Sequence, residues 1–380
     1  MRNVPELRFE GFYGEWEDKK LSEIVKINSG RDYKHLSEGK YPVYGTGGLM
    51  TYVSEFLSNE DSIGIGRKGT INKPQKLEAP FWTVDTLFYA TPIKNYNLDY
   101  IYSIFQIINW LKYDESTGLP SLSKTNINNI RIYNTGVQEQ EKIGGLFKKI
   151  DDLIEIQEGK VSKMRDYKKS MLQKMFPKKD ELVPVFRFYG FDSNWFVSRL
   201  GEVTSLRGGY AFKSQNYIEN GIPILRISNI NSNGTTNEDY VYYTEILNDD
   251  KCSLYNGAIV LAMSGATTGK VSILKTQGKV YQNQRVGYFT KGDRIDYLYL
   301  SVILRSHLFT SQLDKILIAG AQPNISSKDV EDFSFKLPSL EEQVKIGQFF
   351  KNLDTQIENE EKLLDSYKMM KKSLLQKMFV

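Results

Sequence analysis

The chain has 380 residues, a formal net charge of +4, 40% hydrophobic residues and 13% aromatic residues. This length favours two or three domains, and this apolar content excludes a disordered chain. The nearly balanced charge excludes a general polyanion binder, although local basic patches are compatible with it.

No apolar run approaches the length of a membrane span, and the opening MRNVPELRF lacks the apolar core of a signal peptide. The one cysteine, Cys252, cannot form an internal disulfide, which fits a reducing compartment. We therefore expect a cytoplasmic protein.

The first half of the chain opens with PELRFEGFYGEWEDKKLSEIVKINSGRDYK (5–34). Short apolar or β-branched runs follow, separated by Gly, Asn and Thr, in YPVYGTGGLM (41–50), DSIGIGRKGTI (61–71) and FWTVDTLFYA (81–90). Such runs predict short strands with Gly-rich turns, and therefore a mixed α+β domain. GLPSLSKTNINNIRI (118–132) closes this half.

A long helix is predicted next. Apolar residues recur at steps of three and four through EQEKIGGLFKKIDDLIEIQE (139–158) and on to KKSMLQKMFP (168–177). The pattern predicts a helix of about 35–40 residues, roughly 55 Å long, with an apolar stripe close to the seam of a coiled coil. Thr135 followed by Gln138 has the spacing of a capping box. PKKDELVP (177–184) is predicted to be a linker.

The second half repeats this plan. PVFRFYGFDSNWFVSRLGEVTSLRGGYAFK (184–213) matches the first opening, 179 positions later. AQPNISSKDVEDFSF (321–335), EQVKIGQFFKNLDTQIENEE (342–361) and KKSLLQKMFV (371–380) match the end of the first half at a separation of 203 positions. Ser339 followed by Glu342 repeats the capping-box spacing. The residues of the first opening that recur are Pro5, Arg8, Phe9, Gly11, Phe12, Trp16, Leu21, Glu23, Gly30 and Lys34.

Only the middles of the halves differ. IPILRISNINSNG (222–234), GAIVLAMSGATTGKVSIL (257–274) and YQNQRVGYF (281–289) do not match the first half. The larger separation at the end implies that the second half is longer by about 24 residues. Shared ends around different middles are what duplication followed by specialisation for two targets would leave.

We therefore predict globular domains at 1–136 and 178–338, and long helices at 137–177 and 339–380. Two helices with matched apolar stripes bury them most readily against each other. The residues predicted to form this seam are Ile143, Ile150, Leu153, Met164, Met171, Ile346, Leu353, Ile357, Leu364 and Leu374. The repeated KKS-LLQKMF is predicted to be either a solvated basic helix end or a protein-docking surface.

No catalytic centre is evident. GATTGKV (265–271) resembles a phosphate-binding loop, but it is one residue short and has Val271 where Ser or Thr would bind magnesium, so a turn between strands is favoured. His35 and His307 are the only histidines, which leaves little for a metal site or a catalytic triad. No two prolines are adjacent, so the Asn/Asp-Pro-Pro-aromatic pocket of amino-methyltransferases is absent.

The polar turns are instead suited to contact DNA. Arg reads guanine through O6 and N7, Asn and Gln pair with adenine, and Lys, Ser, Thr and Tyr can hold phosphate. In the first half, the candidate DNA-binding residues are Arg31, Lys34, Tyr44, Arg67, Lys68, Thr70, Ser123 and Lys124. In the second half, they are Arg207, Tyr210, Lys213, Arg226, Ser228, Asn229, Ser264, Thr267, Lys270, Gln282, Asn283, Gln284, Arg285, Ser326 and Lys328.

Taken together, these motifs resemble the specificity subunit of type I restriction–modification enzymes. The resemblance covers the whole chain and rests on the doubled RF-GF-W-L-E opening, the G-P-S or Q-P-N-I-S segment, and the EQ-KIG and KKS-LLQKMF helices. It implies an α+β fold with two target-recognition domains separated by an antiparallel pair of long helices that acts as a ruler. Each domain would read one half of a split DNA site, and the differing middles imply an asymmetric site.

The resemblance also implies that the chain binds no cofactor and carries no catalytic or metal-binding residues. Two methyltransferase subunits would bind S-adenosylmethionine and methylate adenine N6, and two motor-nuclease subunits would use ATP and Mg. Two other functions fit the sequence less well. A self-contained DNA methyltransferase or nuclease would bind S-adenosylmethionine in the isolated chain. A coiled-coil scaffold with no DNA role would lack salt-dependent DNA binding.

Overall fold

In the computed structural model, which describes residues 3–319 and 324–380, the chain divides into two units. Unit 1 comprises Met1–Val161 and Glu360–Val380, and unit 2 comprises Ser162–Asn359. Each long helix thus contributes one end to each unit. Gln322 and Pro323, in the predicted Q-P-N-I-S segment, lie outside the described residues.

Unit 1 combines short sheets with helices. Its strands are β1 (Glu17–Lys20), β2 (Val25–Ser29), β3 (Glu38–Gly45), β4 (Gly48–Val53), β5 (Ser62–Gly66), β6 (Gln75–Leu77), β7 (Trp82–Thr83), β8 (Leu87–Pro92) and β9 (Arg131–Asn134). Its helices are α1 (Leu98–Ile107), α2 (Lys124–Asn129) and the first part of the long helix α3 (Val137–Lys174). The strands pair in the orders β1-β9, β2-β8-β5-β6 and β4-β3-β7.

Unit 2 has the same kinds of element. Its strands are β10 (Phe196–Arg199), β11 (Leu206–Arg207), β12 (Ile222–Leu225), β13 (Val241–Tyr243), β14 (Ser253–Leu254), β15 (Ile259–Ala262), β16 (Val271–Ile273), β17 (Val280–Gln282), β18 (Val286–Phe289) and β19 (Ser334–Leu337). Its helices are α4 (Tyr297–Leu304), α5 (His307–Ala319), α6 (Ser327–Glu331) and the first part of the long helix α7 (Leu340–Met378). The strands pair in the orders β10-β19, β11-β18-β15-β16 and β13-β12-β17-β14.

The two units share one strand topology, even though the sequences of their middles do not match. The order β2-β8-β5-β6 corresponds to β11-β18-β15-β16, and β4-β3-β7 corresponds to β13-β12-β17. In both units the second sheet contains a parallel pair of strands, β3 with β7 in unit 1 and β12 with β17 in unit 2. In unit 2, β14 is added at the edge, and residues 226–240 join two strands that only two residues join in unit 1. The extra length of the second half is found largely there.

The long helices pair antiparallel within each unit, which confirms the predicted α+β fold with two long helices. In unit 1, the Gln157 amide donates to the backbone and side chain of Glu360 at 3.0 and 2.6 Å, and Lys160 reaches the same carboxylate at 2.8 Å. Further along, Lys368 pairs with Glu158 at 2.6 Å. In unit 2, Lys168 pairs with Asp354.

The predicted seam is only partly correct. Leu153 is 45% exposed, and the half-buried Ile154 and the buried Gln157 lie inward beside it. Ile143 and Ile150 are buried, but they pack into the core of unit 1 together with its strands and short helices. Ile346 likewise belongs to the core of unit 2. Of the other predicted residues, the buried ones are Met171, Leu353 and Ile357, and the half-buried ones are Met164, Leu364 and Leu374.

The apolar end of the repeated KKS-LLQKMF packs into the core of its own unit, whereas four of the six lysines in its two copies are exposed, as predicted for a solvated basic helix end. In unit 1, the Phe379 ring stacks on Tyr100 at 5.7 Å between centroids and meets Trp16 edge-on at 5.9 Å. In unit 2, Phe176 stacks on Tyr299 at 5.9 Å and meets Trp195 at 6.0 Å. Burying a phenylalanine side chain stabilises a fold by about 1.5–3 kcal/mol. The repeat therefore anchors the end of each long helix in a globular core.

A buried ion pair joins each opening motif to its helix. Arg8 donates two hydrogen bonds to Glu139, at 2.7 and 2.8 Å, and Arg187 donates two to Glu342, at 2.8 and 2.7 Å. The side chains of the two glutamates are only 2% and 1% exposed. The hydrogen bond to Glu139 raises the pKa of Arg8. The repeated arginine of the RF motif and the repeated glutamate of the EQ-KIG motif are thus partners.

The glycine of EQ-KIG lets a short helix approach the long one. A Cβ on Gly144 would overlap the Asn97 side-chain oxygen, which caps α1 by accepting from Tyr100 N at 2.9 Å. Gly347 faces the cap of α4 in the same way. At the start of α7, Ser339 accepts from Glu342 N at 3.3 Å, which confirms the serine half of the predicted capping box, whereas the Glu342 carboxylate binds Arg187. The prediction for Thr135 is wrong, because its hydroxyl donates to Glu139 instead of capping α3.

Candidate nucleic-acid interface

In each unit, four loops meet at one edge of the fold, which we call the loop face. In unit 1 it comprises residues 31–34, 66–70, 84–86 and 119–124. Backbone hydrogen bonds hold these loops together: Arg67 N donates to Thr86 O at 2.8 Å, Leu122 N to Arg67 O at 2.9 Å, and Gly69 N to Pro120 O at 2.8 Å. The loops are therefore fixed relative to one another by main-chain contacts, which leaves the side chains free to differ.

The loop face of unit 2 comprises residues 209–213, 263–270, 283–285 and 324–328. Here Met263 N donates to Arg285 O at 3.0 Å, and Ile325 N donates to Met263 O at 2.9 Å. A bridge between Ser264 and Asn324 corresponds to the bridge between Lys68 and Ser121 in unit 1. The two loop faces therefore have the same main-chain design.

A close-packed glycine fixes the first loop of each face. A Cβ on Gly30 would overlap the Val84 carbonyl oxygen, and a Cβ on Gly209 would overlap that of Asn283. The next residue in each unit then donates its backbone N–H, from Arg31 to Thr83 O at 2.8 Å and from Tyr210 to Gln282 O at 2.9 Å. Arg31 and Tyr210 are exposed, so equivalent positions carry a cation in unit 1 and an aromatic ring in unit 2.

Basic side chains of unit 1 gather around one aromatic ring. The Arg67 guanidinium lies 5.7 Å from the centroid of the buried Phe88 ring, and the Lys124 ammonium lies 5.9 Å from it. Arg67 also donates to the Asp85 carbonyl at 3.4 Å. Lys68 is exposed beside them. Cation–π contact orients such groups while their outward N–H donors remain available to a ligand.

The other candidates of unit 1 have different settings. Lys34 is exposed, and Thr70 is half-buried. Tyr44 lies on β3, where burial raises the pKa of its phenol. Ser123 caps α2 by accepting from Asn126 N at 3.1 Å, and it donates to Glu115 at 3.1 Å. The Ser123 hydroxyl thus has a structural role in the free protein.

Two candidates of unit 2 are fully buried and cannot meet DNA in this conformation. Gln282 is 0% exposed, and its amide donates to the carbonyls of Arg207 and Val286 at 2.8 and 2.7 Å. Asn229 is also 0% exposed, and it donates to Asn237 and to the Asp239 carbonyl, each at 2.9 Å. Both amides organise loops from within, which corrects their assignment as DNA-contacting residues.

Arg207 and Arg226 are largely engaged with their own unit. Arg207 donates to the carbonyls of Asp250 and Ser253 at 3.2 Å, and its guanidinium lies 4.8 Å from the Tyr288 ring. Arg226 donates to the Asp239 carbonyl at 3.1 Å. These contacts favour a supporting role for both arginines. Ser228, two residues after Arg226, is exposed.

The segment that resembles a phosphate-binding loop forms a turn between β15 and β16, as favoured from the sequence. Gly265–Thr267 make a short 3-10 turn, and Lys270 N donates to Thr267 O at 3.0 Å. The Thr267 hydroxyl donates to the Ile227 carbonyl at 3.0 Å. Ser264, Thr267 and Lys270 are half-buried in this turn.

The remaining candidates of unit 2 lie on its loop face. Gln284, Arg285, Lys213, Ser326 and Lys328 are exposed. Asn283 is half-buried, and its side-chain oxygen accepts from Arg285 N at 3.4 Å. Ser326 caps α6, as Ser123 caps α2.

Sequence reasoning missed Asp114, which shapes the fourth loop of unit 1. Its carboxylate accepts from Ser116 N at 3.0 Å and from Ser121 N at 2.9 Å, and these bonds lower its pKa. Asp favours such turns, but nothing in the sequence marked this one for its role.

Across residues 3–319 and 324–380, His, Cys, Asp and Glu side chains do not gather in any group of three or more that could hold a metal ion. In the same part of the chain, each helix is too short or too polar to cross a membrane.

Comparison with known proteins adds to these observations. Residues 13–164 and 192–367 match the family described as the type I restriction modification DNA specificity domain. The chain is 29% identical over 405 residues to the MjaVIII specificity subunit of Methanocaldococcus jannaschii, covering 95% of this chain and 91% of that protein. It is 29% identical over 199 residues to the EcoAI specificity subunit of Escherichia coli, covering 50% of this chain and 31% of that protein.

Solved structures with similar folds include the S subunit of a type I restriction–modification system from M. genitalium. The TM-score is 0.73 at 16% identity, over 99% of both chains. A chain from a study of complex assembly in the type I R-M system gives a TM-score of 0.53 at 13% identity, over 96% of this chain and 97% of that chain. These likenesses extend over both units and both long helices.

Proposed function

Because this chain belongs to the type I restriction modification DNA specificity family, we propose that each of its units recognises one half of a two-part DNA site. The observation that carries this proposal is the shared loop face. Both units hold four loops in the same main-chain arrangement, and several of the exposed side chains at equivalent positions differ. A constant frame with variable side chains suits two readers of one design and different specificity.

The equivalent positions fall into two chemical groups. Lys34 and Lys213 match between the units, and a lysine held constant in both suits phosphate, which every sequence presents. Positions that differ, such as Arg31 against Tyr210, suit contacts with base edges. Since the side chains suited to base contacts differ between unit 1 and unit 2, the two half-sites differ in sequence and the whole site is asymmetric.

The long helices act as the spacer of this device. α3 has 38 residues and α7 has 39, so they are about 57 and 59 Å long at about 1.5 Å per residue. Both run from one unit into the other, and both are anchored by an aromatic residue at the end. Their length would fix how many base pairs separate the two half-sites.

The chain itself contributes recognition, and partner subunits supply the chemistry. A methyltransferase subunit would bind S-adenosylmethionine and flip an adenine out of the duplex, which requires DNA held in a fixed register. A motor-nuclease subunit would use ATP and Mg. The chain would present each methyltransferase subunit with one bound half-site.

Replacing a variable segment tests the proposal. Residues 35–117 are exchanged for the matching stretch of a relative with another specificity, and methylated adenines are mapped in cells that also express the methyltransferase partner. One half of the methylated motif should change, and the other half should remain. A motif that changes in both halves together would contradict recognition by independent units.

A further inference from the structure

We propose that Arg67 in unit 1 and Arg285 in unit 2 each specify a guanine in their half-site. The two arginines belong to equivalent pairs of facing residues in the two units, but each lies on a different β-strand of its pair. This inference rests on the proposed function. It adds which residues determine specificity and which base they read.

The strand register establishes the equivalence. In unit 1, Gly66 pairs with Leu87, and the next pair outward is Arg67 with Thr86. In unit 2, Ala262 pairs with Val286, and the next pair outward is Met263 with Arg285. The same pair therefore carries one arginine in each unit, on the first strand in unit 1 and on the second strand in unit 2.

The residue that packs under this pair also differs between the units. In unit 1, the Phe88 ring lies under the Arg67 guanidinium, at 5.7 Å. The residue of unit 2 equivalent to Phe88 is Gly287, and the Met263 sulfur lies 3.0 Å from where a Cβ on Gly287 would be. The Met263 side chain thus occupies the space of the missing ring, which leaves the cation to come from the opposite strand.

The two guanidinium groups are placed to address the same region. Residues opposite each other on antiparallel strands have Cα atoms about 4.5–5.5 Å apart, which is within the reach of an arginine side chain. Arg285 is exposed, and within residues 3–319 and 324–380 its guanidinium has no hydrogen-bond partner. Among the described residues, the Arg67 side chain makes a single weak hydrogen bond, at 3.4 Å to the Asp85 carbonyl. Arginine with free paired donors is suited to the O6 and N7 of guanine in the major groove.

The test is methylation mapping with the full chain and its methyltransferase partner. Arg67→Met and Arg285→Met are compared with Arg131→Met and Arg199→Met, which remove exposed arginines of β9 and β10 away from the loop faces. Arg67→Met should relax one G·C position in one half-site, lowering discrimination there about 5- to 150-fold, and Arg285→Met should do so in the other half. The two controls should leave the motif unchanged.

Two further variants sharpen the result. Arg67→Lys keeps the charge but loses the two-pronged donor set, so it should relax the same position while methylation of the site persists. Arg67→Met combined with Thr86→Arg copies the arrangement of unit 2 and should restore the guanine requirement at that position. Restoration at another position, or none, would overturn the equivalence of the pair.

The outcomes separate this inference from the proposed function. A parent chain that yields no two-part motif would refute the proposed function, and the inference with it. A two-part motif that Arg67→Met, Arg285→Met and Arg67→Lys leave intact, while methylation of all sites falls alike, would refute the inference alone. In that case the two arginines would hold phosphate.

Discussion

Two adjacent glycines of α3, Gly144 and Gly145, provide a matched test of how the short helix α1 packs against α3. A Cβ on Gly144 would overlap Asn97 Oδ1 and lie 2.8 Å from Tyr100 N, whereas a Cβ on Gly145 would have no atom within 4 Å. Gly144→Ala should therefore disturb the cap of α1, at a cost of about 0.5–2 kcal/mol, and overpack the contact, at about 1–3 kcal/mol. The gain in helix propensity offsets about 1 kcal/mol of this loss.

The expected net effect is a destabilisation of unit 1 by about 0.5–4 kcal/mol for Gly144→Ala, against a gain of about 0.5–1 kcal/mol for Gly145→Ala. For a unit of this size, each kcal/mol shifts Tm by about 2–4 °C. The Tm of each variant and the hydrogen-exchange protection of its α1 would distinguish the two variants. Equal protection of α1 in both would refute the close approach at Gly144.

Three further predictions concern the anchors and one pH-sensitive loop. Arg8→Met should destabilise unit 1 by about 3–5 kcal/mol in urea unfolding, because it leaves the Glu139 carboxylate buried without its partner. Phe379→Ala should cost about 3–5 kcal/mol and increase hydrogen exchange at the end of α7. The hydrogen bond from Lys279 lowers the pKa of Asp249, so this contact stabilises the loop around Asp249 above the ordinary Asp range and is lost as pH falls through the lowered value. Hydrogen exchange in residues 244–256 should therefore rise in acid, and Lys279→Met should weaken that dependence, while the Tyr281 hydroxyl still donates to Asp249 at 2.8 Å.

Each of these predictions has a control in the same unit. Arg131→Met breaks an exposed pair with Asp18 and should cost no more than about 1 kcal/mol. Val380→Ala trims an exposed neighbour of Phe379 and should be nearly neutral. Lys275→Met, in the unit of Asp249, removes an exposed pair with Glu358 and should leave the acid response of the Asp249 loop intact. A variant that behaves like its control would contradict the role given to that anchor or loop.

Sequence periodicity predicts the long helices well, because the apolar stripe extends over ten turns. It does not say what the stripe packs against. Leu153 fits the heptad spacing, yet it is exposed, since the beginning of α3 packs on the core of unit 1 through Ile143 and Ile150. Periodicity also could not predict that Phe176 and Phe379 pack into the globular cores. Trp16 and Tyr100 lie far from Phe379 along the chain, and Tyr299 lies far from Phe176.

The loop faces show where side-chain chemistry alone is insufficient. Gln282 is a good base reader by type, but all of β17 is buried, so no alternation along the strand reveals which way its side chain points. For the ion pair of Arg8 with Glu139, the sequence identifies the two residues but not the contact between them. Both residues stand out as repeated identities, but repetition marks importance without naming the partner. The common strand topology of the two units also could not be predicted from their unmatched central sequences, because many sequences can adopt the same backbone fold.

The most direct measurement of the central account is the spacing of the methylated motif when the helices are lengthened. Four residues are inserted after Gly159 in α3 and four after Asn359 in α7, so that the antiparallel pair grows by about 6 Å and keeps its inward face. At about 3.4 Å per base pair, the two half-sites should move apart by one or two base pairs, and their sequences should stay the same. Insertions of two residues turn the stripe by about 200° and should abolish methylation. An active four-residue variant with the parent spacing, or with altered half-sites, would contradict the account.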